Sequence, residues 1–315
     1  MAQSGLPIPA GFVITTEVCR KYMVNPSIMD DIWNDVKASV KRLETETGKG
    51  FNDPANPLLV SVRSGAPISM PGMMETILNL GLNEETVQGL AKSSGNKRFA
   101  LDSYRRFIQM FGSVVDEVNF DLFEEALAKT RKAAGVDQDY KIPAEALEKL
   151  LVEYKAIYKN ATGNDFPSDP WIQLRRAIEA VFKSWNIPRA VTYRKINKID
   201  DSLGTAVNVI AMIFGNLGDD CGTGVCFTRN PSTGENKLYG EFLINAQGED
   251  VVAGIRTPMP IAQLEHEMPE IYKQLCTITS NLEKTYHDMQ DVEFTIERGK
   301  IFILQTRAGK RTASA

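Results

Sequence analysis

Residues 291–307 read DVEFTIERGKIFILQTR, and this stretch constrains the chain more than any other. Apolar and polar residues alternate on either side of a glycine, the pattern of two antiparallel strands with one buried face. A loop of Glu297, Arg298 and Gly299 places Gly299 in the left-handed position that three-residue hairpins favour. Period-two alternation then sorts the side chains. Val292, Phe294, Ile296, Phe302, Leu304 and Thr306 share one face. Asp291, Glu293, Gln305 and Arg307 share the other, with Ile301 and Ile303 between them. The parity depends on the odd loop, since a two-residue turn would separate the carboxylates from Gln305 and Arg307. Two carboxylates, an amide oxygen and a guanidinium on one face suit Mg2+ and phosphate together. Mg2+ wants hard oxygen ligands and usually takes one or two carboxylates plus substrate phosphates. The same alternation also describes the solvent-exposed face of a two-layer sheet, and periodicity leaves both open.

The rest of the chain divides by pattern. Residues 5–16 (GLPIPAGFVITT) read as a loop entering a strand at 13–15. Ile28, Ile32, Val36, Val40 and Leu43 form one stripe of a helix over 27–47. A strand is expected at 58–63 (LLVSVR), then a Gly- and Pro-rich loop over 64–72, then a helix over 73–80 ending at Gly81. From 83 to 167 charged helical segments replace strand signals, which reads as a helical insertion. Asp169 as N-cap with Pro170 behind it starts a further helix, whose buried stripe is Trp171, Leu174, Ile178, Val181, Phe182 and Trp185. Strands dominate from about 190 onward. The expected organisation is a first lobe over 1–82, the insertion over 83–167, a return to the first lobe over 168–213, and a second lobe over 214–315. Two lobes joined this way suggest a site in the cleft between them.

Two further segments carry candidate chemistry. In 61–72 (SVRSGAPISMPG) Arg63 ends a strand and enters a Gly-rich loop leading to an expected helix N-terminus, where backbone N–H groups favour anions. A guanidinium there can clamp phosphate oxygens; an ordinary strand-to-helix connection with a surface arginine has the same pattern. No GxxxxGK[ST] occurs, which excludes a Walker-type site on motif grounds. In 221–248 (CGTGVCFTRNPSTGENKLYGEFLINAQG) a flexible Gly-rich hairpin would be able to close on a nucleotide, although a plain hairpin reads alike. The adjoining Glu249 and Asp250 add two acids. Arg105 and Arg106 read as a solvated helix face, and Met70, Met73 and Met74 as core filler.

Composition removes other classes. The 315 residues allow about two or three domains. Lys plus Arg is 36 against 40 Asp plus Glu, a net charge of −4, so there is no basic excess for a nucleic-acid partner. No apolar run approaches the ~18 residues of a membrane span, and no signal peptide opens the chain. The four cysteines, Cys19, Cys221, Cys226 and Cys276, have no metal-site spacing and read as reduced thiols of a cytoplasmic protein. The two histidines, His266 and His287, sit among charged residues, so both are expected at the surface.

Three phrases carry a resemblance: SVRSGAPISMPGMMETILNLGLN at 61–83, GTGVCFTRNPSTGE at 222–235 with INAQGEDVVAG at 244–254, and DVEFTIERGKIFILQTR at 291–307. Together they resemble the N-terminal nucleotide-binding domain of the pyruvate, phosphate dikinases, over about residues 5–312. The resemblance implies an α+β, ATP-grasp fold: two mixed or antiparallel β lobes around a nucleotide cleft, with a helical insertion. It implies a phosphotransferase, with ATP and Mg2+ as cofactors. The β-phosphoryl of ATP goes to a histidine on a separate domain and the γ-phosphoryl to inorganic phosphate, in service of phosphoenolpyruvate and pyruvate interconversion. Carried over, Arg63, Arg307, Glu293 and Arg106 would be catalytic. Gly72 and Met74 would cover the nucleotide, Thr223, Gly224 and Val225 would lie over the phosphates, and Glu249 and Asp250 would help hold the ligand. Asp291, Glu293 and Gln305 would serve the metal, and Arg307 and Arg106 the phosphates. Arg189, Ser232 and Glu241 would face the phosphohistidine domain. The family's Gly-rich segment with a nucleotide-binding lysine, its histidine segment and its pyruvate domain are not among these residues. The isolated chain is therefore expected not to complete the cycle. Two alternatives remain: a docking module that partners a phosphohistidine domain without catalysis, and a sibling dikinase such as phosphoenolpyruvate synthase.

Overall fold

The computed structural model describes residues 5–68, 70–252, 256–313 and 315. Ser69 of the expected loop and Ala253 and Gly254 of the phrase at 244–254 lie outside them. Helices and antiparallel sheets mix along the chain, an α+β fold, and they fall into two compact units.

The larger unit spans residues 10–212. Its sheet orders β1 (Gly11–Ile14), β4 (Ala206–Ala211), β2 (Val60–Gly65) and β3 (Thr76–Leu80), all antiparallel. Val60, Val62, Val207 and Val209 are fully buried on one face. Their parity sends Ser61, Arg63 and Asn208 to the other face. The helices are α1 (Thr16–Val24), α2 (Ile28–Thr47), α3 (Thr86–Ser94), α4 (Lys97–Val115), α5 (Phe120–Ala133), α6 (Ala144–Thr162), α7 (Pro170–Ser184) and α8 (Pro188–Asn197). Asp169 caps α7 by accepting from the Trp171 N–H at 2.8 Å, and the stripe Leu174, Ile178, Val181, Phe182 is buried. In α4 and α6, Phe107, Phe111, Tyr154 and Tyr158 are buried.

One element differs from expectation. The helix foreseen over 73–80 is β3, so Arg63 leads through its loop into a strand rather than a helix N-terminus. Thr76 and Ile77 favour the pleat, and a register shift between Val60 and Val62 accommodates Asn79 at φ 59°. Gly81, at φ 108°, follows the strand and is not a helix stop.

The smaller unit holds residues 1–9 with 213–315. Its sheet orders β7 (Met259–Pro260), β6 (Tyr239–Ile244), β5 (Gly222–Phe227), β8 (Gln290–Glu297) and β9 (Lys300–Ala308). The helices are α9 (Gly248–Val252), α10 (Leu264–Glu267) and α11 (Pro269–Tyr286). Phe242, Val292, Phe294, Ile296, Ile301 and Ile303 form one core with Leu264, Ile271, Leu275 and Leu282. Leu6 and Ile8 pack on that core, and the Pro7 carbonyl accepts from the Ile303 N–H at 2.8 Å.

The hairpin reaches the expected parity by another route. Glu297 pairs Lys300, so the turn is the two residues Arg298 and Gly299, at φ 49° and 68°. Two left-handed residues are what a tight hairpin turn requires. A bulge then restores the parity: Phe294 pairs Ile303, but Glu293 pairs Gln305, leaving Leu304 as the extra residue. Ile301 and Ile303 therefore join the core, and Phe302 moves to the polar face opposite Thr295.

Candidate functional site

In the smaller unit the register lines up three rows across β6, β5, β8 and β9. Glu241, Val225, Glu293 and Gln305 form one row. Tyr239, Phe227, Asp291 and Arg307 form the next, and Leu243, Thr223, Thr295 and Phe302 the third. Antiparallel partners point to the same side, so these twelve positions share the face away from α11. The expected metal and phosphate residues of 291–307 are thus brought together with Thr223 and Val225.

The charges there are coupled. Arg307 Nη2 donates to Glu293 Oε1 at 2.7 Å and lies 3.2 Å from Asp291 Oδ2. All three side chains are about one-quarter exposed, a half-buried cluster with net charge −1. Burial pushes the Asp291 carboxyl above its ordinary range, and Glu293 adds to the push, while Arg307 opposes it. Arg307 Nε is buried with no hydrogen-bond partner among the described residues. No group of three or more His, Cys, Asp or Glu among them is arranged to hold a metal by itself. Asp291, Glu293 and the Gln305 amide are nonetheless hard oxygen donors on neighbouring positions, the number that suits Mg2+ when phosphates complete its shell.

Gly222–Phe227 is not a free flap. β5 lies between β6 and β8, and Gly224 points to the core side, where an added Cβ would meet Phe294 Cζ at 2.6 Å and the Glu241 carbonyl at 2.8 Å. The glycine makes room for Phe294, leaving Thr223 and Val225 as the side chains on the polar face. The Thr223 hydroxyl donates to the Phe294 carbonyl at 3.1 Å.

α9 packs on β5 over this face. Ala246, Val251 and Leu243 cluster with Val225, and an added Cβ at Gly248 would lie 4.0 Å from the Thr223 hydroxyl. Asp250 caps α9: its Oδ2 accepts from the Gln247 N–H at 2.9 Å, as a third-position acid reaches back to the cap. That gives Asp250 a structural task beside the ligand-holding role expected for it. Glu249 is on the same helix, half-buried.

The larger unit holds the other candidates. Arg63 pairs in register with Thr76 and Asn208 and is half-buried. Gly72, at φ 70°, is exposed in the turn before β3, and Met74 is half-buried beside it. Arg105 and Arg106 are not a solvated face. Arg105 is buried and donates to Asp102 and Gln109 at 2.9 and 3.0 Å, and Arg106 donates to Asp102 at 3.1 Å. Burial opposes ionisation of Asp102, but Arg105, Arg106 and Arg98 together hold its carboxyl below the usual range. Arg189 is 51% exposed, pairs with Glu75, and reaches the Met73 carbonyl at 3.4 Å. Ser232 and Glu241, its expected docking companions, are exposed in the smaller unit, Glu241 in the same row as Glu293. His266 and His287 are exposed, as expected.

Sequence reasoning missed Gln247, which is 4% exposed with both amide atoms lacking a hydrogen-bond partner among the described residues. No signal in a run such as INAQGED marks a glutamine as buried.

Residues 27–273 and 260–315 match the family described as "Pyruvate phosphate dikinase, AMP/ATP-binding domain". The chain is 55% identical over 313 residues to a pyruvate, phosphate dikinase of Clostridium symbiosum, covering 99% of this chain and 36% of that protein. It is 52% identical over 321 residues to the pyruvate, phosphate dikinase of Rickettsia conorii, covering 100% and 36%. It is also 52% identical over 313 residues to the chloroplastic pyruvate, phosphate dikinase of Mesembryanthemum crystallinum, covering 99% and 33%. The chain spans about a third of the length of the curated relatives it matches.

Proposed function

The chain belongs to the family of pyruvate phosphate dikinase AMP/ATP-binding domains, and from that premise we propose that it binds Mg·ATP on the polar face of its five-stranded sheet. The fold is read as ATP-grasp, with the larger unit, 10–212, as the first lobe carrying the helical insertion 83–167, and the smaller unit as the second lobe; the expected first lobe over 1–82 is corrected at its start, because residues up to Pro9 belong to the smaller unit. The observation that carries the reading is the clustering of Asp291, Glu293, Gln305 and Arg307 on one face by register and bulge. Beside them Val225, Phe227 and Phe302, all half-buried, offer an apolar surface for a base.

In this reading Asp291, Glu293 and Gln305 hold Mg2+, which when bound supplies charge neutralisation to the phosphates. Arg307 is kept oriented by its two carboxylates, and its orphaned Nε is directed to a phosphate oxygen. Arg63 and Arg106 contribute further positive charge to phosphates, and Gly72 and Met74 cover the nucleotide. Thr223, Gly224 and Val225 line the phosphate end, with Glu249 and Asp250 at its edge. The β-phosphoryl of ATP passes to a histidine of a separate domain, and the γ-phosphoryl passes to inorganic phosphate, leaving AMP and pyrophosphate. The acceptor supplies the nucleophile, so these residues act by positioning and electrostatic stabilisation. Arg189, Ser232 and Glu241 serve as the docking side for the histidine domain. Phosphoenolpyruvate and pyruvate interconversion is the activity proposed for the longer protein, in the cytoplasm. Among the described residues no helix is long and apolar enough to cross a membrane.

Calorimetry with Mg·ATP tests the reading. The parent chain should bind, and Glu293→Ala should weaken binding by tenfold or more. A parent chain that shows no heat of binding would refute it. With a separately expressed histidine domain, Arg189→Glu should abolish capture.

A further inference from the structure

Among the described residues of the smaller unit, Gln247 has both atoms of its carboxamide buried without a hydrogen-bond partner. The side chain is 4% exposed, yet neither Nε2 nor Oε1 meets a hydrogen-bond partner among the described residues. Buried amides are rarely left so, because each lost hydrogen bond to water must be returned by another partner. The backbone at this point is fixed. The Gln247 N–H is held by Asp250, and the preceding Ala246 N–H donates to the Gly215 carbonyl at 2.9 Å. Gly248, the next residue, sits over the Thr223 hydroxyl on the face that carries Glu293 and Arg307. An amide held rigidly beside a ligand face, with donor and acceptor both unused, is arranged for a ligand.

The chemistry of the amide narrows which part of the ligand it meets. A phosphate only accepts, so it would satisfy Nε2 and leave Oε1 orphaned. A cation would take Oε1 and leave Nε2. A partner with adjacent donor and acceptor satisfies both, as a base edge or a ribose hydroxyl does. We propose that Gln247 binds the nucleoside part of the nucleotide, through both atoms of its carboxamide, while Arg307 and the carboxylates of β8 handle the phosphates. This rests on the reading of the face as an ATP site.

The experiment compares two probes, Mg·ATP and Mg·tripolyphosphate, by calorimetry on the full chain and on Gln247→Met, which keeps the length and removes both hydrogen bonds. Loss of two neutral hydrogen bonds predicts a Kd for ATP raised about 5- to 150-fold. Tripolyphosphate, having no nucleoside, should keep its affinity within about twofold. The melting temperature of the ligand-free variant should equal or exceed that of the parent, since an unsatisfied buried amide is being removed. Gln247→Leu, which also removes both hydrogen bonds and adds no charge, carries the same comparison if Gln247→Met does not fold. ATP affinity within twofold of the parent, an equal loss for both probes, or a lowered melting temperature would overturn the assignment. A parent chain that binds neither probe fails the ATP reading itself and takes this assignment with it. A parent that binds both, matched by the variant, removes Gln247 alone.

Discussion

On α4, Asp102 lies buried among Arg98, Arg105 and Arg106, and each of its oxygens accepts from a guanidinium. The surrounding bonds continue to α5. Arg105 donates to Gln109, whose amide donates to Glu124 at 2.6 Å, and the Tyr154 hydroxyl donates to the Phe123 carbonyl at 3.0 Å. On the hairpin of β8 and β9 the same residue types make a different object. There one guanidinium serves two carboxylates, all are about one-quarter exposed, and Arg307 Nε has no partner among the described residues. A network closed on itself fixes a helical core. A cluster with spare hydrogen-bonding capacity at a sheet surface keeps that capacity for something else. The proposed catalytic role of Arg106 meets this contrast directly, because Arg106 already belongs to the closed network through Asp102.

The largest effect should come from breaking the closed network. Asp102→Ala leaves Arg105 buried without its counter-charge, a loss of about 3–5 kcal/mol, read from urea unfolding of the chain. A loss under 1 kcal/mol would erase the distinction drawn here. Next is the scaffold behind the open cluster. Gly224→Ala drives a methyl into Phe294 and the Glu241 carbonyl, costing about 1–3 kcal/mol. Thermal melting should register it even in the absence of nucleotide.

The open cluster itself should behave the other way. Arg307→Ala is expected to change stability by no more than about 1 kcal/mol, since partly exposed pairs contribute little. It should raise the Kd for Mg·ATP by about tenfold or more, the loss of a charge-assisted bond. Equal losses of stability and affinity would place Arg307 with the scaffold.

The smallest effect is in pH. The folded Asp102 carboxyl lies below its ordinary value of 3.8, so the unfolded chain takes up that proton first as pH falls. Its stabilisation is complete above that value and is lost in more acid solution. Asp291 has the opposite sign: its folded value is raised, so its ionisation costs stability as pH rises past 3.8. Asp102→Asn should therefore flatten the acid limb of the stability curve, whereas Asp291→Asn should give a slight gain at neutral pH. Unfolding midpoints measured from about pH 2 to 7 check both.

What was legible in the sequence was whatever depends on local periodicity. The stripe of α7 with its Asp169 cap and the alternation of 291–307 needed only neighbours along the chain. The grouping of Asp291, Glu293, Gln305 and Arg307 was read correctly, but for a reason that does not hold. The loop is two residues long, and the bulge at Leu304 repairs the parity. The four consecutive apolar residues Ile301, Phe302, Ile303 and Leu304 already broke the alternation, and that run was the available sign of a bulge. The helix expected over 73–80 failed because the pairing of Thr76 with Arg63 and of Ile77 with Val62 decided the backbone. Those contacts cross the chain and leave no period in it.

The family, the α+β character and the common face of Asp291, Glu293, Gln305 and Arg307 are legible in the chain alone, because each is written in continuous phrases. Tertiary structure alone decided three things. Gly224 makes room for a phenylalanine, Arg105 and Arg106 belong to a buried network, and the Gln247 amide has no partner among the described residues. Burial and hydrogen-bond satisfaction are sums over atoms brought together from distant segments, and no local stretch of sequence contains those sums.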